Sequence, residues 1–339
     1  MRMPMTKEIF TSLPGIELPV EDVTSELAHM WSEIAESEGS EFRASQLNLI
    51  LHFGLEVSWL EAQRHFDAAI AFAQRYPSRI IVLCPTRKLE GVDGMVRSKL
   101  FSQCYLGPSL REACCCEALI LNYETADFAY LVNQVSVWLE GDLPSYHWFC
   151  QVPAQRIKDH YLDFLRLVRK VVINRSLEDP DLLTVPWPED CRCVDLATAR
   201  TLPIRQVLGQ FLSRFQLDDL RKGLLSVEVA HCQAFFGEAM ALLEWQRHCL
   251  GMDVPGVANG CEFKTVGQPG SCVETALRID WKYEDGRFLN MTMGEHNGSA
   301  QLTYDFGSGQ DHATLQVACL PLDRALSEAL FFSGAVVKS

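Results

Sequence analysis

The densest early run of apolar residues is Leu47, Leu49, Ile50, Leu51 and Phe53. A short, nearly unbroken run of this kind predicts a strand covered on both faces. Ser58 and Glu61 follow with capping-box spacing, in which each residue satisfies a backbone N–H of the other. Trp59, Ala62, Phe66, Ala69, Ile70, Ala73 and Tyr76 then recur at helical spacing, and Pro77 stops the helix. Arg79 to Cys84 reads as a second buried strand, ended by Pro85. Strand, helix and strand form a βαβ unit suited to a parallel sheet. The loop from Gly54 to Ser58 lacks the glycine pattern that lets a backbone close on a phosphate, so no nucleotide cradle is expected.

The same periods carry the reading onward. Pro19 to Asp22 opens a lead-in helix with Val23, Leu27, Met30, Trp31 and Ile34 on one face. Two strands are expected over 95–106 and 114–123, separated by Gly107 and Pro108. Asp127 suits the cap of a helix carrying Phe128, Leu131, Val132, Val135 and Trp138. A strand over 146–152 precedes Pro153, placed at a first helical position, and Val171 to Ile173 closes the domain. Pro180, Pro186 and Pro188 mark a linker. Beyond it come a helix through Ile204 to Phe215, a strand at Leu225 to Val229 and a helix over 234–249. From Val273 the period changes to two, in four runs, with Asp285-Gly286 and Asn297-Gly298 as turns. That pattern predicts an antiparallel meander with one buried face, followed by a covering helix over 323–332. The fold class is therefore α/β with two domains. A helical lead-in over 1–40 precedes an N-terminal α/β domain over 41–180 with the βαβ unit. A linker over 181–200 leads to a C-terminal α+β domain over 201–339 with the antiparallel meander.

Composition narrows the function. The chain has 339 residues, 48% of them hydrophobic, with a formal net charge of −14 and no basic block. That balance argues against a nucleic-acid or anionic-membrane partner, which clustered Lys and Arg would serve. No apolar run approaches the roughly 20 residues of a membrane span, and no secretion signal is read at the N-terminus, so a cytoplasmic protein is expected. Its 13 cysteines, many inside apolar runs, are then expected to be reduced and mostly buried.

Candidate chemistry is sparse. No Cys-x-x-Cys pair occurs, so neither a zinc site nor any other metal site is expected. Cys191 and Cys193 flank Arg192 in the expected linker, where a nearby positive charge lowers thiol pKa, and they are redox candidates. His231-Cys232 and His248-Cys249 are neighbours whose side chains diverge, and His147 beside Trp148 reads as structural. No Gly-x-Ser-x-Gly elbow is present. No catalytic residue is expected and no cofactor. Arg43 precedes the first strand, Arg79 begins the second, and Arg200 and Arg205 flank Pro203. Arginines at strand ends suit a carboxylate, a phosphate or a partner protein.

Several segments, taken in order, resemble one family. They are Arg43, Ala44, Leu47, Asn48 and Leu49 with Pro77 to Val82; Asp142, Leu143 and Pro144 followed by Trp148; Asp195, Leu196 and Ala197, then Arg200, Pro203 and Arg205; and Val227 to Val229 followed by Leu242 to Trp245. This order is similar to the glucose-6-phosphate dehydrogenase assembly proteins called OpcA, over roughly residues 40 to 320. Phe149 stands where the family has the second tryptophan of a pair. The resemblance implies a non-catalytic assembly factor or allosteric activator that binds glucose-6-phosphate dehydrogenase, with Arg43, Arg79, Trp148, Arg200 and Arg205 as candidate contacts. The alternative is a sugar-phosphate-binding protein or enzyme in which Arg43 and Arg79 hold the phosphate. A third reading is a redox sensor acting through Cys191 and Cys193.

Overall fold

In the computed structural model, strands β2 (Leu47–Phe53), β3 (Ser78–Thr86), β5 (Ala113–Glu124), β6 (Ser145–Cys150) and β7 (Val168–Ile173) run parallel. The structure describes residues 8–29, 45–87, 96–106, 113–126, 128–139, 141–253, 260–269, 272–295 and 298–334. Arg43, Asp127, the Gly107-Pro108 punctuation, Asn297 and the later part of the lead-in helix (Met30, Trp31 and Ile34) lie outside them.

The chain divides into two units. The first comprises residues 1–173, 178–194 and 330–339. Its sheet has the order β1-β4-β5-β3-β2-β6-β7-β8, with β1 (Ile16–Leu18) and β4 (Arg97–Leu106) antiparallel at one edge and β8 (Arg192–Asp195) at the other. All seven residues of β2 are buried, as a strand covered on both faces requires. The Trp59–Ala73 helix begins with the expected capping box. Ser58 Oγ accepts from the Glu61 N–H at 3.2 Å, and the Glu61 carboxylate accepts from the Ser58 N–H at 3.3 Å. The strand over 146–152 is shorter than expected, and Pro153 is the N-cap of the Ala154–His160 helix, not its first residue.

The expected linker over 181–200 is structured. Asp179 caps a short turn at Pro180–Thr184, β8 joins the sheet, and Asp195 caps the Leu196–Arg200 helix. The physical reason is apolar content. Leu182, Val185, Cys191 and Cys193 enter the core formed by Phe149, Ile157, Leu165 and Val171, and prolines between them do not prevent burial.

The second unit comprises residues 174–177 and 195–329. Its six-stranded sheet has the order β10-β9-β11-β12-β13-β14. The expected meander is present as β11 (Leu277–Tyr283), β12 (Phe288–Met293), β13 (Ser299–Asp305) and β14 (Asp311–Gln316), all antiparallel. Burial alternates along β11 and β12, and Gly286 adopts a φ of 85° in the turn between them. The Phe236–Cys249 helix links β9 (Leu224–His231) to β10 (Glu262–Gly267), a parallel pair that period-2 reading alone did not predict. Gln246, buried in that helix, accepts the Trp281 indole N–H at 2.7 Å. Cys232 and Cys272 form a disulfide across 5.6 Å between Cα atoms, against the expectation of reduced thiols. Strand pairing sets their proximity: the Cys232 N–H donates to the carbonyl of Ala276, next to the start of β11. Among the described residues no helix is long and apolar enough to cross a membrane.

Replacing Ser58 by Ala removes the acceptor for the Glu61 N–H and is expected to lower stability by about 1 kcal/mol. Chemical denaturation followed by helical circular dichroism measures the shift.

Candidate functional site

The sheet of the first unit reverses its strand order at β2. From β2 the chain builds outward through β3 and β5 on one side, then crosses to β6 and β7 on the other. The loops after β2 and β6 therefore leave in different directions, opening a crevice at the carboxyl ends of the strands. A cavity of about 350 Å³ lies there. Its lining includes His52, Gly54 and Glu56 after β2, Pro85 and Tyr123 from β3 and β5, and Gln151, Arg156, Asp159 and Tyr161 beyond β6.

The two loops are locked together. The Gly54 N–H donates to the Cys150 carbonyl at 2.7 Å, and a Cβ at Gly54 would lie 1.8 Å from the Gln151 carbonyl oxygen. Only a residue without a side chain permits that approach. Gln151 has a φ of 55°, unusual for a residue with a Cβ. Its N–H donates to both carboxylate oxygens of Glu178, at 3.0 and 2.9 Å, which holds the turn in place. Its side-chain amide donates to Glu61 at 3.4 Å, joining this turn to the helix cap.

Beneath the cavity runs a chain of buried polar groups. His52 and His147 share one face of the sheet, because His52 pairs with Phe149 and His147 with Ile50. His147 Nε2 lies 3.2 Å from His52 Nδ1, His52 Nε2 lies 2.7 Å from the Tyr123 hydroxyl, and that hydroxyl lies 2.9 Å from the Tyr161 hydroxyl. Burial, with Arg156 adding to it, pushes the His52 pKa down to about 3. Burial and then the neighbouring His52 hold His147 well below the usual range, and burial raises Tyr123. His52, His147 and Tyr123 are neutral at pH 7. His147 Nδ1 has no partner among the described residues. A buried lone pair without a donor costs less than a buried N–H without an acceptor, so Nδ1 is the unprotonated nitrogen. Donation then runs outward, from His147 to His52, to Tyr123 and to Tyr161.

The residues singled out from sequence lie elsewhere. Arg79 sits at the opposite end of β3, where it donates to Glu117 at 2.9 Å and to the Trp138 carbonyl at 3.1 Å. Trp148 is completely buried, its ring near His65 under the Trp59–Ala73 helix, so it offers no surface to a partner. Cys193 is buried in the edge strand β8 and Cys191 is buried just before it, and burial pushes the Cys191 thiol up to about 12, opposite to the activation expected beside Arg192. In the second unit Arg200 pairs with the fully buried Glu238, which also accepts from Ser176. Burial raises the Glu238 pKa against the pull of Arg200. Arg175 bridges Asp195 at 2.9 Å and Glu244 at 2.8 Å. Arg205 donates to the Thr198 carbonyl at 3.1 Å, and burial lowers its pKa. Arg200 and Arg205 thus tie helices together within their unit.

Sequence reasoning missed His52, Tyr123, Gln151, Arg156 and Tyr161 as a group. A histidine in the otherwise apolar run Leu47–Phe53, and Pro153 directly after a buried strand, were the available signals.

Residues 69–184 match the model of a family described as the glucose-6-phosphate dehydrogenase subunit N-terminal domain. No curated relative matches the chain. The matched segment runs from the Trp59–Ala73 helix through β7 to the Pro180–Thr184 turn, and so includes Tyr123, Gln151, Arg156 and Tyr161 but neither Gly54 nor His52.

Two outcomes follow from these geometries. The neutral His52 of the folded state opposes protonation that the unfolded chain accepts below its ordinary pKa of 6.5. Its contribution is complete above pH 6.5 and shrinks as pH falls toward 3, by about 2 kcal/mol at pH 5. Urea titrations between pH 7 and 4 are expected to show this slope, and His52→Gln to flatten it. Arg200→Ala leaves Glu238 buried without its cation and is expected to destabilise the second unit by about 3 kcal/mol at pH 7, read by thermal unfolding.

Proposed function

We propose, from the match of residues 69–184 to that family model together with the OpcA-like order of motifs along the chain, that this is a non-catalytic cytoplasmic factor that binds glucose-6-phosphate dehydrogenase and favours its assembled, active state. The observation that carries the reading is the match itself, which falls on the parallel-sheet unit rather than on a short motif. Its family description names that dehydrogenase.

The geometry is in keeping with a binding role. The histidines beneath the cavity are hydrogen-bonded to each other and to Tyr123, an arrangement that stores no charge at neutral pH. Close by, the start of the Trp59–Ala73 helix presents Trp59 at 45% exposure and Leu60 at 56%, with Leu55 from the preceding loop at 36%. Large apolar side chains of this kind serve as anchors in protein interfaces. Activation follows if the factor binds the assembled dehydrogenase more tightly than its separate subunits, each tenfold preference contributing about 1.4 kcal/mol to assembly.

The test is to mix the purified chain with purified glucose-6-phosphate dehydrogenase, then measure KM for glucose 6-phosphate and particle mass by light scattering. A lower KM or a larger assembly is expected, and Leu60→Asp is expected to weaken the association by about tenfold without unfolding the chain. Unchanged KM and unchanged mass would overturn the proposal.

A further inference from the structure

We propose that the cavity at the strand-order reversal binds a small, neutral polyhydroxylated metabolite of monosaccharide size. The site is a property of the first unit alone and does not depend on the association reading.

Four observations converge. The first is position: the cavity lies outside the carboxyl ends of parallel strands at the point where their order reverses, where open α/β sheets hold ligands. Its volume of about 350 Å³ falls within the range of small-ligand sites. The second is the lining. Phe53, Pro85 and Val152 give apolar walls, while Gln155, Arg156 and Asp159 supply an amide, a guanidinium and a carboxylate. A sugar hydroxyl both donates and accepts, and such a mixed set satisfies both roles.

The third is the outward hydrogen-bond chain. Its inner end, His147 Nδ1, has no partner among the described residues, and the isolation of a buried polar group costs stability. Its outer end is Tyr161, which lines the cavity and keeps its hydroxyl proton to donate once it has accepted from Tyr123. An oxygen of a bound ligand completes the chain. The fourth is the turn at Gln151, whose left-handed backbone is braced by Glu178 at the cavity wall. Local strain of this kind gathers where a fold positions a ligand.

Charge selects the class. Arg156 spends one amino group on the Thr125 carbonyl; Asp159 lines the same cavity, as does Glu56, whose carboxylate is paired with Arg87 at 2.7 Å. No glycine-rich nest follows β2. A phosphate dianion would meet the Asp159 carboxylate with one partly engaged guanidinium, whereas a neutral polyol meets no such penalty.

The experiment uses the full chain without any partner protein. Saturation-transfer NMR and calorimetry are run with D-glucose, D-ribose and myo-inositol, then with glucose 6-phosphate and inorganic phosphate. At least one neutral polyol is expected to bind in the millimolar range or tighter, and Tyr161→Phe to weaken it by about tenfold with the circular dichroism spectrum unchanged. Gln155→Ala, on the helix at the rim, gives a second reading if Tyr161→Phe does not fold. Absence of binding by all three neutral polyols overturns the proposal, as does tighter binding of glucose 6-phosphate than of glucose. Binding that neither substitution weakens also overturns it. A chain that binds a polyol but leaves the dehydrogenase unaffected fails the association reading and keeps this one.

Discussion

The close passage of Gly54 against the Gln151 carbonyl sets the geometry of the first unit where it matters most. It fixes where β2 and β6 end and how their loops part. With a Cβ at position 54 the two backbones would have to separate, and the crevice between them would lose its wall. Around this contact the structure adds bracing, with Glu178 on the Gln151 N–H and Glu61 on its side chain. Glu61 thereby serves both the helix cap and the loop after β6, so the start of the Trp59–Ala73 helix and the cavity wall are one assembly.

Burial decides the chemistry beneath that contact. A histidine ion in the core would lose its hydration, so His52 and His147 stay neutral and act as hydrogen-bonding spacers. The same desolvation raises the thiols of Cys84 and Cys191 and disfavours their thiolate forms. In the second unit a buried carboxylate, Glu238, is kept by Arg200 and Ser176, and Gly237 allows this approach because a Cβ there would lie 2.6 Å from the Ser176 nitrogen. Both units therefore pair a glycine contact with buried polar groups, one neutral and one ionic.

Arginine position in sequence did not reveal the intramolecular partners these side chains have. Arg79, Arg200 and Arg205 were singled out for standing at element ends, and each instead satisfies carbonyls or carboxylates within its own unit. An arginine near a helix or strand terminus meets the unpaired carbonyls that such ends present, a local demand that sequence spacing does not distinguish from a demand made by a partner.

What the chain determined by itself was local. The capping box at Ser58, the buried run of β2, the period-2 strands β11 to β14 and the glycine turn at Gly286 all report interactions between residues close in sequence, and each is present, although β11 begins at Leu277 rather than Val273 and β14 ends at Gln316 rather than Cys319. Tertiary structure decided which strand lies beside which. That β6 returns to flank β2, that β8 draws a proline-rich stretch into the sheet, and that Tyr123 and Tyr161 meet over His52 all depend on pairings between distant residues. Hydrophobic period records that a side chain is buried. It carries no information about the neighbour it is buried against, and the cavity is made of such neighbours.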